Sequence, residues 1–238
     1  MLTAIIVAAG SSRRMGCSDK LWIPLANKPL IAHSLSTFAA APDVGEILLV
    51  VRPEQVDRFK TLLNLLALGK IVRLVPGGRE RCHSVWNGLQ ALPETCSFVA
   101  VHDGARPLVS QRAISGCYAL AKKTGAASCA IPVTDTLKKV RNATETGLLY
   151  ISGGVERSQL WAMQTPQIFS RNIIVNAYQR MLEADQVLTD ETSAVQEAGG
   201  EVAIFYNEDW NPKITYPNDV KLAEYMLTAS LADGQSVA

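Results

Sequence analysis

Three cations crowd the loop "AAGSSRRMGCSDK" (8–20), where Arg13, Arg14 and Lys20 follow an apolar run that ends at Val7. Ala8, Ala9, Gly10, Ser11 and Ser12 are small, so backbone N–H groups there can approach an anion closely. An arginine fork beside a lysine point charge suits a polyphosphate. A solvated loop with its arginines in water would read the same way, and this stretch alone leaves both open. It is not a P-loop, because no G-x-x-x-x-G-K-[ST] is present, and the spacing of Gly10 and Gly16 does not make G-x-G-x-x-G.

A second cluster lies in "VAVHDGARPLV" (99–109). Asp103 is a hard oxygen ligand that could hold Mg²⁺, a metal that takes few carboxylates and keeps positions for phosphates. Arg106 could meet a second phosphate. Alternatively Asp103 closes the strand in an Asx-turn, paired to Arg106. A carboxylate facing a cationic loop at one sheet edge favours the metal reading, and His102 reads as structural. In "PGGRERCHSVWNGL" (76–89), Gly78 and Ser84 could read a base edge, or Gly77-Gly78 could simply turn the chain. Cys82 and His83 are too close together and too isolated for a metal site. Thr165, Thr189, Asp190 and Lys213 fall near strand or loop ends; Asp190 could equally cap a helix and Lys213 could be an ordinary surface lysine.

The elements that must position these groups follow from apolar patterning. Runs at 4–7, 46–51, 70–75, 97–103, 127–133 and 201–206 are apolar on successive residues, as strands covered on both faces would be. Helical patterns lie between them at 28–40, 53–68, 80–91, 110–124, 170–184 and 217–230, with Ser110 and Ser170 as expected N-caps. The alternation predicts an α/β, doubly wound, mainly parallel sheet. Ligands of such sheets sit beyond the strands' carboxyl ends, where the 8–20 loop and Asp103 fall. The polar stretch 136–160 has no helical period and reads as a projecting β-hairpin.

Composition narrows the class. The chain has 238 residues, 48% hydrophobic and 19% charged, with a net charge of +1. That gives no global field for nucleic acid or anionic lipid. No apolar stretch suits a membrane span and no signal peptide is apparent. Five scattered cysteines without C-x-x-C suggest a reduced, cytoplasmic chain with buried thiols.

Taken together, "AAGSSRRMG…DK", "PGGRERCHSV", "VHDGARP", "PVTDTLK", "QTPQIF", "TDETSA" and "NPKIT" resemble the 2-C-methyl-D-erythritol 4-phosphate cytidylyltransferase family of the non-mevalonate isoprenoid pathway, along nearly the whole chain. The resemblance implies one nucleotidyltransferase (Rossmann-like) domain over 1–238, a homodimer joined through an arm at about 134–160, CTP and a phosphorylated sugar alcohol as substrates, and Mg²⁺ as cofactor. It implies attack of the acceptor phosphate on the α-phosphorus of CTP with loss of pyrophosphate. It carries Arg14, Lys20 and Lys213 over as catalytic cations. Ala8, Ala9, Gly10, Gly78 and Ser84 become nucleotide contacts. Asp103, Arg106, Thr165 and Thr189 line the acceptor site, Asp103 also holding the metal, and Thr136 and Arg157 reach it from the partner's arm. The chain departs from the pattern at Asp19 and Leu21, where many relatives have Pro and Gln, and at Arg79, where some are acidic. Such chemistry needs in-line positioning and charge stabilisation rather than a protein nucleophile. Rival readings are a cytidylyltransferase for ribitol 5-phosphate, a non-catalytic nucleotide sensor, and a dinucleotide-dependent oxidoreductase, which lacks its fingerprint.

Overall fold

A computed structural model describes residues 1–10, 15, 19–142 and 147–232. Arg14, like Arg13 and Cys17, lies outside the described residues. The elements of the first half are β1 (Leu2–Val7), β2 (Pro24–Leu25), β3 (Lys28–Pro29), α1 (Leu30–Ala40), β4 (Val44–Val51), α2 (Val56–Leu66), β5 (Ile71–Pro76), α3 (Arg81–Gln90) and β6 (Phe98–Asp103). The second half adds α4 (Gln111–Thr124), β7 (Ala126–Pro132), β8 (Lys138–Asn142), β9 (Leu149–Gly154), β10 (Trp161–Ser170), α5 (Arg171–Glu183), α6 (Glu191–Glu197), β11 (Ala203–Tyr206) and α7 (Pro217–Ala232).

Seven strands form one sheet in the order β11-β7-β10-β6-β1-β4-β5. β10 pairs antiparallel with both β6 and β7, while the other pairings in this sheet are parallel, so β10 runs against its other six strands. In the central strands the unbroken apolar runs have the cause expected of them, since both faces are covered, whereas the edge strands β5 and β11 leave Ile71, Ile204 and Tyr206 exposed. Along β1 and β4, Ala4, Ile6, Ile47 and Leu49 face a layer containing α1, α2, α4 and α7. Their neighbours Ile5, Leu48 and Val50 face α3, α5 and α6. The parallel strands end on one edge, which therefore gathers Ala8, Arg52, Gly77 and Asp103.

Local chemistry sets several boundaries. Ser110 caps α4, its side chain accepting from the Ala113 N–H at 3.0 Å, and Gly125 ends that helix in the left-handed region. Ser170 stands at the N-cap of α5 but makes no side-chain capping bond, contrary to expectation. Besides the two-residue strands β2 and β3, α6 and β10 are additional to the sequence reading. α6 is seven residues long, too short for an apolar period to register. β10 contains Pro166 and the buried polar residues Gln164, Thr165 and Gln167, a composition that argues against a central strand. Its ladder with β7 shifts register between Met163 and Gln167, where Pro166 sits, so the missing N–H interrupts no regular pairing.

The expected hairpin is present as the two-stranded pair β8–β9, exposed along almost its whole length. No helix among the described residues is long and apolar enough to cross a membrane. Cys82, Cys96, Cys117 and Cys129 are free and buried.

Candidate active site

Two clefts open on the carboxyl edge of the sheet. The first, about 630 Å³, lies over β1, β4 and β5 and is lined by Ala8, Ala9, Gly10, Lys20, Gly78 and Ser84, with Arg52 and Arg79 beside them. The second, about 530 Å³, lies over β6, β10 and α6 and includes Arg106, Thr165, Thr189 and Asp190. Arg81, Asp103 and Lys213 line both and form the wall between them.

The floor of the first cleft is a continuation of the sheet. Past the strand ends, the Ala8 N–H donates to Val50 O at 2.8 Å and the Gly77 N–H to Val51 O at 2.7 Å. A Cβ on Gly77 would meet the Ala9 Cβ at 2.4 Å, so two loops touch where only glycine fits. The Ser84 hydroxyl accepts from the Gly78 N–H at 3.0 Å and donates to Glu80 O at 3.1 Å. The hydroxyl thus holds the Gly78 loop in shape while lining the cleft, where a second lone pair is left for a ligand.

Lys20 sits in a short 3-10 turn capped by Asp19, whose carboxylate accepts from the Leu21 N–H, from Arg52 at 2.9 Å and from Gln55. From that turn the Lys20 ammonium donates to Ile214 O at 2.7 Å. The bond brings the first loop of the chain against the segment that carries Lys213.

At the wall, the Asp103 carboxylate meets Lys213 at 2.8 Å, Arg81 at 3.2 Å and Arg106 at 3.8 Å. Burial works to raise its pKa, but Arg81, Lys213 and Arg106 overcome that and hold the carboxyl well below the usual carboxylate range. Of the turn-and-pair alternative, the turn is closed by the main chain, where the Arg106 N–H donates to Asp103 O at 3.0 Å, and the pairing is the long 3.8 Å contact to Arg106. The Arg106 guanidinium is spent mainly on carbonyls, donating to Asn211 O at 2.8 Å and Met163 O at 3.4 Å.

Thr165 is buried level with Asp103 on the antiparallel β10. Its hydroxyl accepts from the Asp103 N–H at 3.1 Å and lies 2.9 Å from His102 Nδ1. His102 Nε2 faces Arg106 O, an acceptor, so it carries the ring proton and Nδ1 receives the threonine hydrogen. Both His102 and Thr165 therefore brace Asp103 and Arg106. Thr189 is exposed at the second cleft. Behind it, Asp190 accepts from Ser193, Thr192 and Gln167 and caps α6. Thr136 and Arg157 lie exposed on the arm segment and line neither cleft of their own chain.

The sequence reading missed Arg52, Arg81, Glu191 and Tyr178. Arg81 opens α3 directly after the Gly77-Gly78 turn, a position that could have marked it. Its partner Glu191 stands 110 positions away, beyond any local signal. Among the described residues no group of three His, Cys, Asp or Glu could cage a metal. A lone carboxylate that lines both clefts still fits Mg²⁺, which fills its remaining positions with phosphate oxygens and waters.

The chain matches the family described as 2-C-methyl-D-erythritol 4-phosphate cytidylyltransferase over residues 2–229. It is 40% identical to the protein of that name from Bacillus licheniformis over 226 residues, 94% of this chain and 95% of that one. It is 36% identical to the one from Clostridioides difficile over 234 residues, 98% of this chain and 96% of the relative. Among solved structures it is similar to the 4-diphosphocytidyl-2C-methyl-D-erythritol synthase of Anaerococcus prevotii, with a TM-score of 0.81 and 26% identity over 96% of this chain and 98% of that one.

Proposed function

The chain belongs to the 2-C-methyl-D-erythritol 4-phosphate cytidylyltransferase family, and from that premise we propose how its residues divide the reaction between the two clefts. The enzyme is a nucleotidyltransferase that transfers CMP from CTP to 2-C-methyl-D-erythritol 4-phosphate and releases pyrophosphate. Ribitol 5-phosphate is not favoured as acceptor by relatives of that name.

The observation that carries the division of labour is the shared wall of Arg81, Asp103 and Lys213. CTP fits the first cleft, with cytidine against Ala8, Ala9, Gly10 and the Gly78 loop that Ser84 shapes. The triphosphate then runs toward Lys20; the family resemblance assigns it Arg14 as well, a residue outside those described. The acceptor fits the second cleft, near Arg106, Thr165 and Thr189, with its phosphate facing the α-phosphorus across the wall. That phosphate is already an anion, so no protein base is needed. Lys213 and Lys20 neutralise charge that builds on the α-phosphoryl oxygens, in a site whose cations are fixed before reaction begins. Asp103 keeps Lys213 directed at this point and would hold Mg²⁺, which screens the triphosphate when bound.

A homodimer completes the acceptor site in this reading. The arm presents Leu149, Tyr150 and Ile151 to solvent, an apolar surface that a second copy would cover while delivering Thr136 and Arg157. The free, buried cysteines accord with a cytoplasmic enzyme. A pyrophosphate-release panel crossing CTP, UTP, ATP and GTP with the two acceptors tests the reading. CTP with methylerythritol phosphate is expected to dominate; silence from that pair, or faster turnover of ribitol 5-phosphate, would sink it.

A further inference from the structure

We propose that Glu191 and Tyr178 are positioning residues that act through Arg81 to fix Asp103 at the boundary between nucleotide and acceptor, an inference that rests on the cytidylyltransferase reading. Neither side chain lines a cleft, and Glu191 is 0% exposed. A carboxylate so buried is tolerated only when its lone pairs are met by good donors. Glu191 has them: Arg81 Nη1 at 2.6 Å, Arg81 Nη2 at 3.0 Å and the Tyr178 hydroxyl at 2.8 Å. The Tyr178 ring is itself held, lying parallel to Trp86 of α3 with centroids 6.4 Å apart.

The geometry of the fork gives this network a task beyond stability. Two parallel N–H bonds to Glu191 set the plane of the guanidinium. With the plane set, Nε donates to Asp103 Oδ1 at 3.2 Å. Burial opposes the Arg81 charge, yet Glu191 and Asp103 together hold the guanidinium well above its ordinary pKa. Three helices, α3, α5 and α6, are thereby tied to the end of β6 at the wall.

Charge balance says what would change without the tie. Glu191 offsets most of the Arg81 charge, so Arg81 steadies Asp103 without entering the clefts as a free cation. Released from Glu191, Arg81 could swing toward the triphosphate. Asp103 would then keep only Lys213 and the more distant Arg106, and would draw Lys213 more strongly away from the α-phosphate. Substrates would still bind through the cleft residues. Their alignment would suffer, and in-line transfer is sensitive to displacements of about 1 Å.

The test compares wild type, Tyr178→Phe and Glu191→Gln by steady-state pyrophosphate release and calorimetric CTP titration. Tyr178→Phe is expected to lower kcat by about three- to tenfold and Glu191→Gln by about ten- to a hundredfold, with both KM values within about threefold of wild type. CTP stoichiometry should stay near one site per chain, which separates lost alignment from a lost fraction of folded protein. Unchanged kcat in the variants overturns the proposal, as does a fall in kcat matched by an equal fall in binding stoichiometry. Should Glu191→Gln fail to fold, Tyr178→Phe alone decides. A wild-type enzyme inactive with CTP and methylerythritol phosphate would overturn the cytidylyltransferase reading and this inference with it, whereas an active wild type with indifferent variants overturns the inference alone.

Discussion

At the scale of single residues, the site is a contest over one carboxylate. Asp103 stays ionised because three cations outweigh its burial, and Lys213 is the closest of them. Replacing Lys213 or Lys20 by alanine is expected to lower turnover by on the order of 10²–10³ while weakening CTP binding far less, since these charges matter most as the transition state forms. Normal turnover in steady-state assays would remove either lysine from the chemistry. His102 behind the site makes a separate prediction. Burial pushes it down to about 3 from an ordinary 6.5. The unfolded chain therefore takes up a proton below about pH 6.5 that the folded chain refuses until about pH 3. The corresponding stability is complete above that window and is lost through it as pH falls, by on the order of a few kcal/mol. His33, also lowered by burial, acts with the same sign. Urea midpoints at pH 7.5 and 5.5 should differ clearly in wild type and by less in His102→Gln. Asp103 could be singled out from the sequence because it ends a readable strand, whereas Lys20 and Lys213 gained their roles only through the motifs that carry the family resemblance. Arg81, Glu191 and Tyr178 were not legible, because ion pairs that join distant helices leave no local pattern and charged helix residues look solvated.

At the scale of elements, legibility followed burial. Strands covered on both faces announced themselves as apolar runs. β10 did not, because its central part spends buried polar side chains on the site: Gln167 donates to Asp190 at 3.0 Å and Asn207 donates to Gln164 at 2.9 Å. That strand is the one on which the functional edge displaces ordinary strand composition. The contact between the β1 and β5 loops is testable in the same terms. Gly77→Ala would drive a methyl group into Ala9 and toward Val51 O, 3.3 Å from the new Cβ. Overpacking of this kind should cost about 1–3 kcal/mol. Because Ala9 and Gly78 line the nucleotide cleft, CTP affinity should fall alongside the denaturation midpoint. A destabilised variant that binds CTP normally would show that the loop contact serves the fold and not the cleft.

At the scale of the whole molecule, the arm is joined to the sheet by β10, whose first residue, Trp161, packs edge-on against Tyr206 of the edge strand β11 at 5.9 Å. The proposed dimer uses the arm's exposed face, where Leu149 and Ile151 are 64% and 69% exposed. Combining Leu149→Ser with Ile151→Ser should shift sedimentation from dimer to monomer. It should also raise the KM for the acceptor while sparing CTP binding, because the arm serves only the second cleft in this reading. A wild-type chain that sediments as a monomer, or an unchanged double variant, would count against the dimer. The bond from Lys20 to Ile214 spans 194 positions and has a consequence for biosynthesis. With a ribosome adding about 5–20 residues per second, on the order of 10–40 s separate the emergence of its two ends. Most of the sheet can form in that interval while the nascent chain still lacks the lysine at position 213, so activity should switch on abruptly near the close of translation, and prematurely terminated products should be inert.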